Sequence, residues 1–377
     1  MLAKLGRILI IAEEVGKMNS PKFQSALSQL KKGIAVWLNN EALTPFLFDK
    51  NWGGMISCGC LYNESSHQCD NKYPDCPALR DAGFNFGAGF YNDHHFHYGY
   101  HIYAAAVAAH FDPEFGRKYH QRVLLLIRDI ANPSAKDPYF PTWRHKDWYL
   151  GSSWASGIVT IGGDPYPNGR NQESSSEAIA AYEAIGMYGD AAARMFAGSA
   201  DPYWEDQFLH AQRIRDMGRL LMATEVRTAK TYWHVQADNP ETTRIYPEAY
   251  ESKVVGMMWS LMAQEQTWFG NESYKSYGIQ VMPLTPISEL RDSPAWVKEM
   301  LPLFNASCIS DTKCEDDGWS VLVLAMQATV GLWRDAWKSA MRLSDDVFEA
   351  AGGNGHSRSN TLWYIASRPD IWLNHVD

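Results

Sequence analysis

Apolar residues recur at three- and four-residue spacing along almost all of this 377-residue chain, the period of a helix with one buried face. The pattern predicts helices over residues 2–15, 20–38, 98–111 and 112–130. It predicts more over 173–188, 190–199, 202–223, 249–264, 271–279, 293–304, 318–331, 333–344 and 359–367. Ser20-Pro21 and Asp112-Pro113 each set a capping side chain before a proline at the first helical position, a strong start signal. Only Gly157-Ile-Val-Thr-Ile161 reads as a short strand or buried loop. About twelve helices paired head to tail, with long cleft-forming loops at 46–91 and 132–172 on one rim, fit an all-α (α/α)6 toroid or barrel. Loops of that length are usually functional. No linker rich in Pro, Gly or Ser divides the chain, so residues 1–377 are expected to form a single domain.

The six cysteines fall into two groups, Cys58, Cys60, Cys69, Cys76 and the close pair Cys308, Cys314, all in polar loops. An even count in such loops reads as disulfides made in an oxidising compartment. Cys308 is expected to pair with Cys314, and the other four among themselves in one of three ways. Zinc on those four is the rival, but paired Cys-x-x-Cys knuckles are lacking. Sequons at Asn63, Asn271 and Asn305 agree with secretion to a cell wall or extracellular space. Residues 8–12 make too short an apolar run for an export signal, so the natural amino terminus is expected to lie upstream.

A formal net charge of −9 argues against nucleic acid and anionic membrane surfaces as partners. No run of about 18 apolar residues would span a bilayer. Fifteen Trp and nineteen Tyr are many for this length and fit core packing and a sugar platform equally, and those in loops suit stacking against the apolar faces of sugar rings. The second long loop carries Tyr139, Phe140, Trp143, Trp148, Tyr149, Trp154 and Tyr166.

Two segments carry the candidate chemistry. Asn92-Asp93-His94-His95-Phe96-His97-Tyr98-Gly99-Tyr100-His101 combines an acid, four imidazoles and three aromatic rings. Asn171-Gln-Glu-Ser-Ser-Ser-Glu177 places Glu173 and Glu177 four residues apart at a helix start. Cleaving a glycosidic bond takes one acid to protonate the leaving oxygen and another to activate water or attack the anomeric carbon. Asp93 has a plainer reading as a helix cap, and Glu173 and Glu177 as a solvated helix face favoured by the helix dipole. The dipole is expected to hold Glu173 ionised, which suits a base or a nucleophile. Asp93 also lies near a helix start, so the dipole alone does not say which acid donates the proton. The histidines lack a zincin pattern, so hydrogen bonding is favoured over metal.

These blocks resemble the catalytic domain of glycoside hydrolase family 81, the endo-β-1,3-glucanases. Phe48-Asp49-Lys-Asn-Trp52-Gly53-Gly54, residues 91–100, residues 171–177, Lys253-Val-Val-Gly256, Thr267-Trp-Phe-Gly270 and residues 278–288 carry the likeness. The resemblance implies an (α/α)6 barrel and an inverting, cofactor-free, metal-free endo-hydrolysis of laminarin- or callose-type β-1,3-glucan. It makes Asp93 the general acid, Glu173 the base and Glu177 a supporting acid, with Asp49 and His97 on the sugar nearest the scissile bond. Tyr100 and Trp148 are added as substrate-binding aromatics, and a monomer is expected. An inverting pair should have its carboxyls about 6.5–9.5 Å apart. Family members carry a β-sandwich before the barrel, whereas this chain starts at the barrel's first helix, and its 58–76 loop is unusually Cys-rich. The rivals are another (α/α)6 glycosidase, a polysaccharide lyase, and a non-catalytic β-glucan-binding relative. The motif blocks hold almost no Arg or Lys for uronates, and Asp93 and Glu173 are both intact.

Overall fold

The computed structural model describes all residues except 82, 158–159, 162–163, 166, 199–200, 238, 241–244, 248–249, 350–354 and 369–377. Six long helices make the first half: α1 Leu2–Glu14, α2 Pro21–Leu38, α3 His94–Phe111, α4 Pro113–Ala131, α5 Ser175–Phe196 and α6 Pro202–Thr228. The caps read from sequence form as expected. Ser20 Oγ accepts the Phe23 N–H at 3.2 Å, and Asp112 accepts the Phe115 N–H at 3.0 Å. The second half runs through the helices Ser273–Ile279, Pro294–Ile309, Ser320–Thr329, Trp333–Arg342 and Arg358–Ala366, with short turns between.

The last helix returns to the first. Arg7 Nε donates to Asn360 Oδ1 at 3.0 Å, its guanidinium lies 4.0 Å from the Trp363 ring centre, and Trp363 Nε1 donates to Glu14 at 2.6 Å. That contact closes the succession of helices into the expected all-α toroid. One large apolar core joins α1 to α6, and a second gathers around Tyr274, Trp296, Phe304 and Trp319.

Four expectations shift. Helix α3 starts at His94 rather than Tyr98, and α5 at Ser175 rather than residue 173. The break expected near residue 189 is absent, because α5 runs unbroken to Phe196. Glycines there serve packing: a Cβ on Gly189 would meet the Arg215 backbone, and one on Gly218 the Gly186 backbone. Helices α5 and α6 therefore cross at backbone contact. The helix expected over 249–264 is instead a hairpin, β8 Met257–Trp259 and β9 Ala263–Gln264, pairing with β7 Asn171–Gln172; residue 249 lies outside the described residues. Gly256 leads into it where the Glu265 backbone leaves no room for a Cβ.

The first long loop holds two hairpins, β1 Phe46–Asp49 with β2 Gly54–Ser57 and β3 Tyr62–Asn63 with β4 Gln68–Cys69. In the second, β5 Thr160–Ile161 pairs with β6 Asp164–Pro165; of the expected 157–161 strand, residues 158–159 lie outside the described residues. Disulfides join Cys58 to Cys76, Cys60 to Cys69 and Cys308 to Cys314. The four-cysteine group pairs within itself, which leaves no thiolates there for zinc. Thiol titration of the unfolded, unreduced protein should therefore find no free cysteine. Gly218→Ala should lower stability by about 1–3 kcal/mol through overpacking, read as a lower midpoint in urea.

Candidate active site

The approach to α3 is bent by a run of left-handed backbone. Asn85, Phe86, Gly87, Tyr91 and Asp93 have φ of 51, 59, 78, 62 and 59°, values that cost non-glycine residues energy and cluster at functional sites. The bend is held from outside, for the Asp93 N–H donates to Ala155 O at 3.0 Å. Asp93 occupies the N-cap position of α3, yet its side chain makes no capping hydrogen bond. Capping is thus not what this carboxyl does. Burial, then the charges of Glu173 and Glu177, push it well above the usual carboxylate range.

Glu173 stands two residues before α5, so it does not share a helix face with Glu177 as the spacing suggested. Its place is set by the serines that follow. Ser174 Oγ caps Glu177 N–H at 3.2 Å and donates to Ile279 O, as does Ser176 Oγ, while Ser175 Oγ donates to Gln280 Oε1 at 2.7 Å. Gln280 Nε2 in turn donates to Glu173 O at 2.7 Å. The carboxyl accepts the Trp268 backbone N–H at 2.6 Å. Burial outweighs that bond and lifts Glu173 to about 7. The expectation that the helix dipole holds it ionised is therefore corrected: desolvation of a residue outside the helix is the larger effect.

Glu177, in the first turn of α5, is also raised by burial, with the Tyr100 hydroxyl donating to it at 2.6 Å. Tyr100 accordingly reaches the carboxylate cluster, through Glu177. Asp49 ends β1 and accepts the Tyr91 hydroxyl at 2.8 Å and the Asn51 N–H at 2.8 Å. Tyr91 is fully buried, with the Arg144 guanidinium 3.9 Å from its ring centre. His97 lies one turn beyond Asp93, its ring edge-on to exposed Phe86 at 4.9 Å, and burial lowers it to about 4, so it is neutral. Trp148 is not brought into this group: its ring contacts, Trp143 at 5.0 Å and the Lys146 ammonium, belong to its own loop. Tyr166 lies outside the described residues.

The remaining histidines behave as buried polar groups. Burial lowers His95 to about 3 and also lowers His101, whose Nδ1 contacts His97 O at 2.9 Å. His94, Asp129 and His145 are the one three-donor cluster close enough for a metal among the described residues. His94 Nδ1 is already bonded to Asp129 Oδ2 at 2.6 Å, and Asp129 Oδ1 accepts the Met55 N–H at 2.8 Å. These donors form a hydrogen-bonded frame under the bend. Tyr91, Gln280 and the Trp268 amide were not assigned roles from sequence, although each falls inside a block that carries the family likeness.

Fold and site together define a helical toroid with three partly enclosed, desolvated carboxyls gathered where its long loops meet two helix starts. The model of the glycosyl hydrolase family 81 C-terminal domain matches residues 1–365, and the chain belongs to that family. It is 32% identical to a glucan endo-1,3-beta-D-glucosidase of Glycine max over 98% of this chain and 48% of the relative. It is 28% identical to the primary septum glucan endo-1,3-beta-D-glucosidase of Schizosaccharomyces pombe over 93% of this chain and 30% of the relative. Among solved structures, a glycoside hydrolase family 81 protein from Clostridium thermocellum, solved as a mutant, matches with a TM-score of 0.69 and 25% identity. That match covers 97% of this chain and 43% of the other. The chain spans about half the length, or less, of the relatives it matches.

A carboxyl raised from 4.5 to about 7 holds its proton more tightly folded than unfolded. Its contribution to stability is therefore complete below pH 4.5 and is lost as pH rises through about 7. Glu173→Gln, which keeps an oxygen for the Trp268 N–H, should match the wild type in thermal stability at pH 4. At pH 8 it should exceed it by roughly 1–3 kcal/mol, a figure trimmed because the side chain is only partly enclosed.

Proposed function

We propose that this chain is the catalytic domain of an endo-acting β-1,3-glucan hydrolase that inverts the anomeric centre. The observation that carries the reading is the contrast between two carboxyls. Burial beside Glu173 and Glu177 raises Asp93 well above the usual carboxylate range and so favours its protonated form, whereas Glu173, with a backbone N–H on its carboxyl, is lifted to about 7. A protonated acid paired with a base poised near neutrality is what single displacement needs.

Asp93 gives its proton to the glycosidic oxygen as the bond to the anomeric carbon breaks. Glu173 takes a proton from the water that attacks that carbon from the opposite face. Glu177, bonded to Tyr100, supports the pair and helps keep the Asp93 proton in place. Asp49 and His97 contact the sugar nearest the scissile bond, and half-exposed Trp148 serves a more distant sugar. The reaction on this reading uses no metal or cofactor, and the chain works as one domain and as a monomer. Three disulfides agree with a secreted, cell-wall setting. No helix among the described residues is long and apolar enough to cross a membrane.

Reducing-end release over β-1,3, β-1,4 and mixed-linkage glucans tests the reading, with strong preference for β-1,3 expected. No release from any glucan, with laminarin still bound, would favour the binding-only rival. Asp93→Asn and Glu173→Gln should each cost about 10²–10⁴ in turnover, and wild-type turnover in either would remove its role. Turnover should climb as pH rises through about 7 while Glu173 ionises, and fall again where Asp93 loses its proton. Proton NMR in the first minutes of laminarin digestion should show the α-anomer first; a β-anomer would mean retention.

A further inference from the structure

The turn formed by residues 267–270 touches the base with its backbone and offers an aromatic face to solvent. The turn is closed by the Thr267 N–H and Thr267 Oγ1, which both donate to Gly270 O, at 3.3 and 3.0 Å. At its tip the Trp268 indole is 53% exposed and the neighbouring Phe269 ring 45%. The indole is not loose. Its Nε1 donates to Asn171 Oδ1 at 3.4 Å, and its ring stands edge-on to the buried Trp259 of β8 at 5.5 Å. Its backbone N–H donates to Glu173 Oε1 at 2.6 Å. The residue that shows its ring at the rim therefore also grips the carboxyl.

We propose that Trp268 couples substrate binding to the base: a glucose unit stacks on its indole and, by restraining the turn, fixes its backbone N–H on Glu173. The base is then more fully ionised in the enzyme–substrate complex than in the free protein. This rests on Glu173 acting as the base of a glucan hydrolase.

Two physical points support the coupling. An N–H bonded to a carboxylate favours the charged form, and the one on Glu173 comes from a solvent-facing turn. A sugar on the indole also shields that bond from water, which strengthens it. Among the described residues no cation acts on the carboxyl to mask the effect. The charged neighbours are Glu177 on α5 and Asp93 ahead of α3, both acidic. Behind the turn, Lys275 and Glu272 pair with each other at 2.9 Å, and Glu265 lies toward Ser273 at 3.4 Å. Arg170 donates to backbone carbonyls of Ser156 and Arg144.

The test compares pH profiles of kcat and kcat/KM on laminari-oligosaccharides of one length, for the wild type, Trp268→Ala and Trp268→Phe. The acid limb of kcat reports the complex and that of kcat/KM the free enzyme. In the wild type the kcat limb should lie roughly 0.5–1 pH unit lower. Trp268→Ala keeps the N–H but removes the platform, so KM should rise about 5- to 10-fold and the two limbs should merge. Trp268→Phe should restore most of both effects, which a merely structural role would not predict at equal thermal stability. An active wild type with coincident limbs overturns the inference without any variant, and leaves the hydrolase reading standing. An Ala variant with wild-type KM, or one with raised KM and limbs still apart, overturns it as well. A wild type inactive on every glucan overturns the hydrolase reading and this inference together.

Discussion

A short seam between the two halves of the ring is what the site depends on. Strand β7 pairs with β8, and the three serines after Glu173 bond to the carbonyl of Ile279 and the side chain of Gln280. All of these groups are buried, where an unmade polar bond costs about 1–3 kcal/mol. The seam therefore has one satisfactory register. It sets where α5 begins, and with it the positions of Glu173 and Glu177. A second buried link, Asp93 N–H to Ala155 O, brings the other acid to the same recess from the α3 side.

Once gathered, three carboxyls in a poorly hydrated recess cannot all be ionised cheaply. The fold distributes the proton deficit by unequal help. The Glu177 carboxyl receives the Tyr100 hydroxyl, Glu173 receives one backbone amide, and the Asp93 side chain makes no capping bond. The acid given least support, Asp93, is raised well above the usual carboxylate range. Burial, rather than the helix dipole, is the large effect, because the dipole acts only within a turn and Glu173 stands outside it.

The left-handed run before α3 carries strain that the neighbouring structure must hold in place. Tyr91 is pinned by Asp49 and Arg144, and His94 by Asp129 and Ala88 O. This explains why so many histidines and aromatics crowd around one acid. Most of them hold the bend, and Tyr100 reaches the carboxyl of Glu177.

Much was readable from residue order, because helix period, caps and acid spacing are local properties. The toroid, the caps at Ser20 and Asp112, the Cys308–Cys314 bond and the clustering of Asp93 with Glu173 and Glu177 all followed from local pattern or family likeness. The errors arose where a distant partner overrode the local signal. Gly189 looked like a helix end because the α6 backbone that fills its missing side chain lies far away in sequence. Residues 257–264 looked helical because the strand that claims them, β7, is nearly a hundred residues earlier. The ring of Trp148 packs against Trp143 of its own loop, so its expected part in substrate binding rests on its exposed face. Sequence alone determined which acids and aromatics were available and on what kind of element. Only the tertiary structure decided how strongly each carboxyl is desolvated and which amide meets Glu173, since burial and long-range hydrogen bonds do not exist until the ring closes.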